Sequence, residues 1–460
     1  MVQRAKLISL NETGLRYVAS RYNVRTYDEQ DNLLLYNSYT GNFRKVPHER
    51  KEETILLLDK GAEADSDSPL VPALFADGFL VRERTDEFMR AAMQQKQMQR
   101  NDRVLHLILM PNENCNFRCV YCYESFAKNK MDEKTQKGVV EYVRRELYKY
   151  DMLHVAWFGG EPLTAMEIIE SLSEQFLEIV REQGKLYYSN MTTNGYNLTP
   201  RTFYTLYKLG MRDYQITFDG TKETHDTHRI QIDGSGTFDV IFENLKAIKT
   251  LSLRDFIIKL RSNVDQANQY DMTAYMNLMQ ETFGDDPRFS NHFVPVQQLG
   301  GENDTNMHLC DTKDIIPLMQ EGIEMGLRFE YKGMFNPAGS TCYAARPNSF
   351  VIGSDGMVYK CTVAFDDERN HVGQLHEDGQ MELFYERLML WVANGAAEDS
   401  RCQKCFFRPS CQGEACPLEK IESGKTPCPP TKKNIKAYMK MLDAQGDIPW
   451  LELAPAVVGE

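Results

Sequence analysis

The sequence predicts an α/β protein in which a central series of six parallel strands alternates with helices, between a small N-terminal domain and a cysteine-rich C-terminal region. Three observations carry this. Strand-length apolar runs and helix-period segments alternate from Arg103 to Gly300. Three cysteines, Cys115, Cys119 and Cys122, follow directly on the first of those strands, and seven more lie between Cys342 and Cys428.

Taken in order, Val24 to Val46 reads as strands separated by turns at Glu29-Gln30-Asp31 and Thr40-Gly41. A helix from Pro47 to Leu58, a turn at Lys60-Gly61, a helix from Pro69 and a short strand Gly78 to Arg82 complete a unit of residues 1–85. Asp86 to Asn101 reads as a linking helix within 86–102. The central strands are expected at Val104–Met110, Leu153–Phe158, Leu186–Thr192, Tyr214–Phe218, Phe256–Val264 and Phe289–Val296. Helices are expected at Asp132–Tyr150, Glu167–Gln183, Pro200–Leu209, Phe238–Leu251 and Met272–Phe283. Six strands fall short of the eight that close a barrel. This part covers 103–310, a bridging region 311–339, the cysteine-rich domain 340–430, and a helix and tail 431–460.

The run PNENCNFRCVYCYESF sits at the carboxyl end of the first strand, where parallel α/β folds keep their chemistry. Iron-sulfur clusters are usually held by four thiolates. Three close thiolates therefore leave one iron open for another ligand; the competing reading is a structural zinc site or buried thiols. The spacing Cx3CxΦC, with Tyr121 as the aromatic Φ, resembles the radical S-adenosylmethionine (SAM) superfamily. That resemblance implies a partial (β/α)6 barrel and a 4Fe-4S cluster on Cys115, Cys119 and Cys122, where bound SAM is split to a 5'-deoxyadenosyl radical.

Further loops match the same pattern. Gly159-Gly160-Glu161-Pro162 resembles the loop that binds the methionine amino group, its glycines allowing close backbone approach. Thr193, Asn194 and Gly195 lie where relatives contact the SAM ribose and carboxylate. Thr217, Asp219 and Arg229 offer a hydroxyl, a carboxylate and a guanidinium suited to ribose hydroxyls and a carboxyl group. His225 and His228 flank that stretch as acid-base or structural groups, and Arg261 and Asn263 as core, SAM or acceptor contacts.

From Cys342 the chain reads Cx13Gx4C to Cys361, then Cys402-x2-Cys405-x5-Cys411-x4-Cys416 and Cys428. This resembles the SPASM domain, with x4 where x3 is usual before Cys416. A zinc ribbon is the alternative. The resemblance implies two auxiliary 4Fe-4S clusters, one on Cys402, Cys405, Cys411 and Cys428, the other on Cys342, Cys361 and Cys416, making three in all. No cysteine precedes Cys342 closely enough to supply the fourth ligand found in sulfatase maturases; Cys310 either loops back to do so or is a buried thiol.

Composition bounds the rest. With 42% hydrophobic and 26% charged residues the chain can bury a core. A formal charge of −13 argues against nucleic-acid binding, and the absence of an apolar signal region or spanning stretch argues for a cytoplasmic protein with no membrane partner. The N-terminal unit resembles the winged-helix-like element with which ribosomal-peptide modifying enzymes bind a precursor's leader. A DNA-binding winged helix is the alternative. The combined resemblance implies a peptide maturase forming thioether crosslinks of the sactipeptide, ranthipeptide or PapB-like type, reduced by a flavodoxin or ferredoxin-type partner. An anaerobic sulfatase maturase is the rival, but that family places an Asp directly after the second SPASM cysteine, where this chain has Thr362.

Overall fold

The computed structural model of the chain describes residues 16–63, 66–100, 102–301, 307–393 and 399–453. Residues 1–15 of the expected N-terminal unit and 454–460 of the expected tail lie outside them.

The N-terminal unit holds β1 (Arg16–Ala19), β2 (Asn23–Tyr27), β3 (Leu33–Asn37), β4 (Asn42–Val46), α1 (His48–Lys60), β5 (Ala62–Glu63), α2 (Leu70–Ala76) and β6 (Leu80–Arg82). They form two three-stranded sheets, ordered β2-β3-β4 and β5-β1-β6. β3 is buried at all five positions, because one face packs on α1 and α2 and the other on the rest of the chain. α3 (Glu87–Arg100) leads to the central sheet.

The central part runs β7 (Val104–Asn112), β8 (Phe117–Cys119), α4 (Glu133–Glu146), β9 (Met152–Gly159), α5 (Met166–Glu182), β10 (Leu186–Thr193), α6 (Pro200–Lys208), β11 (Met211–Thr217), α7 (Lys222–His228), β12 (Arg229–Gln231), α8 (Phe238–Lys249), β13 (Ile257–Val264), α9 (Met272–Phe283) and β14 (Phe289–Pro295). Six strands, β7, β9, β10, β11, β13 and β14, pair in parallel in chain order, as the alternation predicts. The helices start where caps stand: the Asp132 side chain accepts the Thr135 amide before α4, and Thr199 accepts the Thr202 amide before Pro200 opens α6. α5 buries Ile168, Ile169, Leu172, Phe176, Ile179 and Val180, the stripe of a helix laid on a sheet.

The remainder is α10 (Thr312–Glu324), β15 (Ser349–Ile352), β16 (Met357–Tyr359), β17 (His371–Leu375), β18 (Met381–Leu383), α11 (Tyr385–Val392), α12 (Ser400–Gln403), α13 (Arg408–Cys411), α14 (Pro417–Ser423), α15 (Pro430–Lys433) and α16 (Ile435–Ala444). β15 pairs in parallel with β7, Val351 opposite Ile108, so β15 to β18 extend the central sheet to ten strands. The cysteine-rich region is thereby fixed beside the strand that carries the first cysteine loop. Among the described residues no helix is long and apolar enough to cross a membrane.

Candidate active site

β7 ends at Asn112 and the chain turns into the cysteine loop. The short antiparallel pair β8–β12 clasps that loop, setting Cys119 opposite Arg229, and the Val120 amide donates to the His228 carbonyl at 3.0 Å. The Phe117 amide donates to Cys115 Sγ at 3.3 Å. The Asn194 side-chain amide donates to Asn116 Oδ1 at 2.8 Å and reaches Cys115 Sγ at 3.9 Å. All eleven cysteines are free thiols.

The Gly159-Gly160 turn lies against this loop. Gly159 has φ +116°, and a Cβ on Gly160 would meet the Asn114 carbonyl group at 2.6 Å, so only glycine permits the approach. Glu161 is fully buried, its carboxylate accepting the Thr193 hydroxyl (2.7 Å), the Asn194 amide (2.7 Å) and the Leu163 amide (2.9 Å). Burial pushes this carboxyl up, and those donors act against the shift. Glu161 therefore ties the ends of β9 and β10 together from within.

Tyr121 is a hub. Its hydroxyl bonds to the buried Asp219 carboxylate and accepts from Arg229 Nη1 at 2.8 Å and Asn263 Nδ2 at 3.0 Å. Asp219 also accepts the Asn263 amide at 2.8 Å. Burial raises both the Tyr121 and the Asp219 pKa, so the phenol stays a donor. Arg229 Nε is buried without a partner, a donor left for something the described residues do not supply.

A chamber of about 620 Å³ opens here. Its wall includes Cys115, Cys119, Tyr121, Cys122, Gly159, Gly160, Thr193, Asn194, Thr217 and Arg229, which the fold brings together from the ends of β7, β9, β10 and β11 and from β12. Asp219 and Glu161 stand behind that wall and hold it. Sequence reading missed His292, whose Nδ1 is buried without a partner on the chamber wall. His292 is the register neighbour of Arg261 across β13 and β14. Arg261 Nε donates to Asn263 at 3.0 Å, and among the described residues no carboxylate pairs with its guanidinium. Alternation on the six strands could have flagged this pair as lumen-facing.

His225 and His228 are structural. The His225 ring lies between the Asp219 amide and the Thr237 hydroxyl, and burial holds its pKa well below the usual value. His228 Nδ1 donates to the Thr224 carbonyl, and Asp265 beside its Nε2 raises its pKa.

The C-terminal cysteines fall into two neighbourhoods. Cys342, Cys361 and Cys416 lie close enough to act electrostatically on one another, and Cys416, with Thr362 and Val363, also lines the chamber. Cys402, Cys405, Cys411 and Cys428 line a separate cavity of about 90 Å³ with Arg401, Arg408 and Lys432, whose Nζ donates to Cys428 Sγ at 3.2 Å. The Cys310 thiol donates to the Val264 carbonyl at 3.1 Å and has Asp314, Asp265 and Asp311 around it, with no other cysteine among the groups acting on it. Among the described residues no three His, Cys, Asp or Glu side chains close on a single-ion site; instead Cys115, Cys119, Cys122 and Cys416 border the chamber, and Cys402, Cys405, Cys411 and Cys428 their own cavity. Burial pushes the loop thiols up, Cys122 to about 12, and bound iron would reverse that. Free thiols around cavities, with an orphaned guanidinium nitrogen beside the first set, fit iron-sulfur clusters and an anionic ligand.

Comparison with known proteins agrees with this geometry. Residues 109–266 match the Radical SAM superfamily. The chain is 22% identical over 336 residues to a cysteine-type anaerobic sulfatase-maturating enzyme of Clostridium novyi, spanning 67% of this chain and 87% of that protein. It is 23% identical over 202 residues to the radical SAM cyclopropyl synthase TigE of Paramaledivibacter caminithermalis, covering 39% and 41%. The fold resembles that of anSMEcpe solved with AdoMet and the Kp18Cys peptide, with TM-score 0.56, 17% identity, and 74% and 99% of the two chains covered. With the cysteine loop set at the mouth of a six-stranded parallel sheet, residues 109–266 form a radical SAM domain, and the chain is an enzyme similar to an anaerobic sulfatase-maturating enzyme.

Proposed function

We propose that this enzyme modifies a ribosomally made precursor peptide, forming thioether bonds from cysteine sulfur to carbon. The observation that carries the reading is that one chamber is lined both by Cys115, Cys119 and Cys122 and by Cys416 and Thr362. The first three thiolates would hold a 4Fe-4S cluster. Gly159, Gly160, Thr193, Asn194, Thr217 and Arg229 would cradle SAM, with Tyr121, Glu161 and Asp219 fixing the cradle. Two auxiliary clusters would sit on Cys342/Cys361/Cys416 and on Cys402/Cys405/Cys411/Cys428. With the first cluster and SAM bound, the site gains reductive SAM cleavage and a radical able to take hydrogen from carbon. The residues around it exclude water and hold the reacting groups in one orientation.

Three observations favour a thioether product over formylglycine. Cys310 is turned to the Val264 carbonyl, so the Cys342/Cys361/Cys416 set has room for a substrate thiol. Position 362 is threonine, its hydroxyl engaged with the Tyr343 hydroxyl at 2.8 Å, and supplies no carboxylate base. The N-terminal unit carries the sheet and helices expected of a leader-binding element. The related anSMEcpe has been solved with a bound peptide, which accords with a peptide substrate.

The test is an anaerobic assay of reconstituted enzyme with SAM, a flavodoxin or ferredoxin reductant and the cysteine-rich precursor encoded nearby. Loss of two hydrogens per bridge together with loss of alkylatable cysteine is expected. 5'-Deoxyadenosine formed with the peptide unchanged would overturn the thioether reading.

A further inference from the structure

The sheet β2-β3-β4 has two outer edges, and both are occupied differently. Beside β2 lie residues 432–437 of α15 and α16, across a groove. Beside β4 lies the chain's own C-terminal segment. The Lys45 amide donates to the Pro449 carbonyl at 2.9 Å, and the Leu451 amide donates to the Lys45 carbonyl at 2.8 Å, a parallel bridge between Lys45 and Trp450.

The segment behaves as a strand added to a groove. Leu451 is buried and Leu453 packs beside it, in the cluster formed by Leu33, Leu35, Val46 and Leu58, while Glu452 between them faces solvent. Alternation of this kind is how an extended peptide reads a groove beside a sheet edge: backbone bonds give affinity, and every second side chain enters a pocket. Trp450 is 51% exposed and only covers Lys45, its ring 5.0 Å from Nζ.

The attachment is thin. Among the described residues the segment bridges β4 at Lys45 alone, so a peptide running along the five residues of β4 could make more backbone bonds than the segment does. The chain before it is anchored elsewhere. Ile448 belongs to the main core, and the Asp447 carbonyl accepts Lys332 Nζ at 2.7 Å. Residues 449–453 can thus leave without unpacking what precedes them.

We infer that residues 449–453 are a resident strand that occupies the outer edge of β4 and its apolar groove, and that an extended peptide bearing apolar residues at alternate positions must displace it to dock there. The inference rests on the reading of the substrate as a leader-bearing precursor, and the peptide is that leader. Exchange of one strand for another preserves the two backbone bonds to Lys45 and the burial of two apolar side chains, so its cost is small. A tethered segment competes at an effective concentration of about millimolar, which screens out weak peptides and admits a leader with a longer match.

The experiment uses three chains: the full protein, one ending at Ile448, and full-length Leu451→Asp, which keeps the complete backbone. A labelled synthetic peptide of residues 447–453 is the first probe, and the nearby-encoded precursor the second. The peptide should bind the shortened chain, bind the full chain at least tenfold more weakly, and be displaced by the precursor. The precursor should bind both variants about tenfold more tightly than the full protein. In the unaltered protein, hydrogen exchange needs no variant: saturating precursor should speed exchange at the Leu451 amide and leave the Lys45 amide protected. Precursor that is bound and modified with Leu451 still protected, and with affinity unchanged in both variants, would overturn the inference and leave the proposed function standing. Precursor neither bound nor modified by any of the three chains would overturn both.

Discussion

The Thr193 hydroxyl donates to the Glu161 carboxylate at 2.7 Å, joining the loop after β10 to the loop after β9 beneath the cysteine loop. Glu161→Gln keeps one oxygen for Thr193 and Leu163 but turns an NH2 toward the Asn194 amide, which loses its acceptor. An unpaired buried donor costs about 1–3 kcal/mol. Chemical denaturation should show that loss, and SAM affinity should fall with it because Asn194 moves. Unchanged stability would mean that the carboxylate is not holding the loops.

Tyr121→Phe removes the acceptor shared by Arg229 and Asn263 and the donor to Asp219. The Asp219 carboxylate then faces a buried guanidinium without the bridge. Reconstituted iron should fall in proportion to the Cys115/Cys119/Cys122 cluster alone, read by comparison with a Cys402→Ser control.

Cys310 and Cys416 make a matched pair. Cys310→Ser should leave iron content and turnover unchanged, since its thiol is bonded to the Val264 carbonyl and no cysteine is among the groups acting on it. Cys416→Ser should lower iron and abolish crosslinking. Equal iron loss in the two variants would place Cys310 among the ligands.

Arg261 is a chamber-wall cation with no carboxylate paired to it among the described residues. Arg261→Met should leave the melting temperature unchanged or raise it, because an uncompensated buried charge is removed. An anionic ligand should bind about tenfold more weakly. Titrating SAM and peptide separately tells whose carboxylate Arg261 meets.

His106 and His292 are held neutral by burial, each lowered to about 3. The unfolded chain takes up protons at these rings around the ordinary imidazole value of 6.5, whereas the folded chain does so only near 3. Their contribution to stability is therefore complete above that upper value and is lost progressively as pH falls toward the lower one. Denaturant midpoints should decline from neutral pH to about pH 4. His106→Gln should flatten that slope, because it removes a ring that stacks on His154 and titrates only in the unfolded chain.

Much of this protein could be read locally. The helix at 272–283 was expected at its observed bounds, and β7 was expected from Val104 because seven apolar or aromatic-compatible residues precede the cysteine loop. β1, β8 and β12 were not expected: strands of three or four residues carry too little periodicity to stand out, and β8 and β12 exist only because they pair with each other across the cysteine loop. Thr193, Asn194, Thr217 and Arg229 were recognisable as chamber residues from their loops. Glu161 and Asp219 were recognisable only as carboxylates near a ligand, since their engagement by Thr193 and Tyr121 depends on residues far apart in the chain.

What the sequence by itself determined is whatever depends on neighbours along the chain: the alternation of strand and helix, the caps that start α4 and α6, and the spacing that lets three thiolates meet in one loop. The tertiary structure alone decided which distant groups share a space. It paired β15 with β7 and laid residues 449–451 along β4, and it brought Cys416 to Cys342 and Cys361, a grouping that the family resemblance implied but that no local pattern states. Local preference fixes dihedral angles residue by residue, whereas these placements follow from burying apolar faces and satisfying backbone bonds across hundreds of residues, for which no local pattern codes.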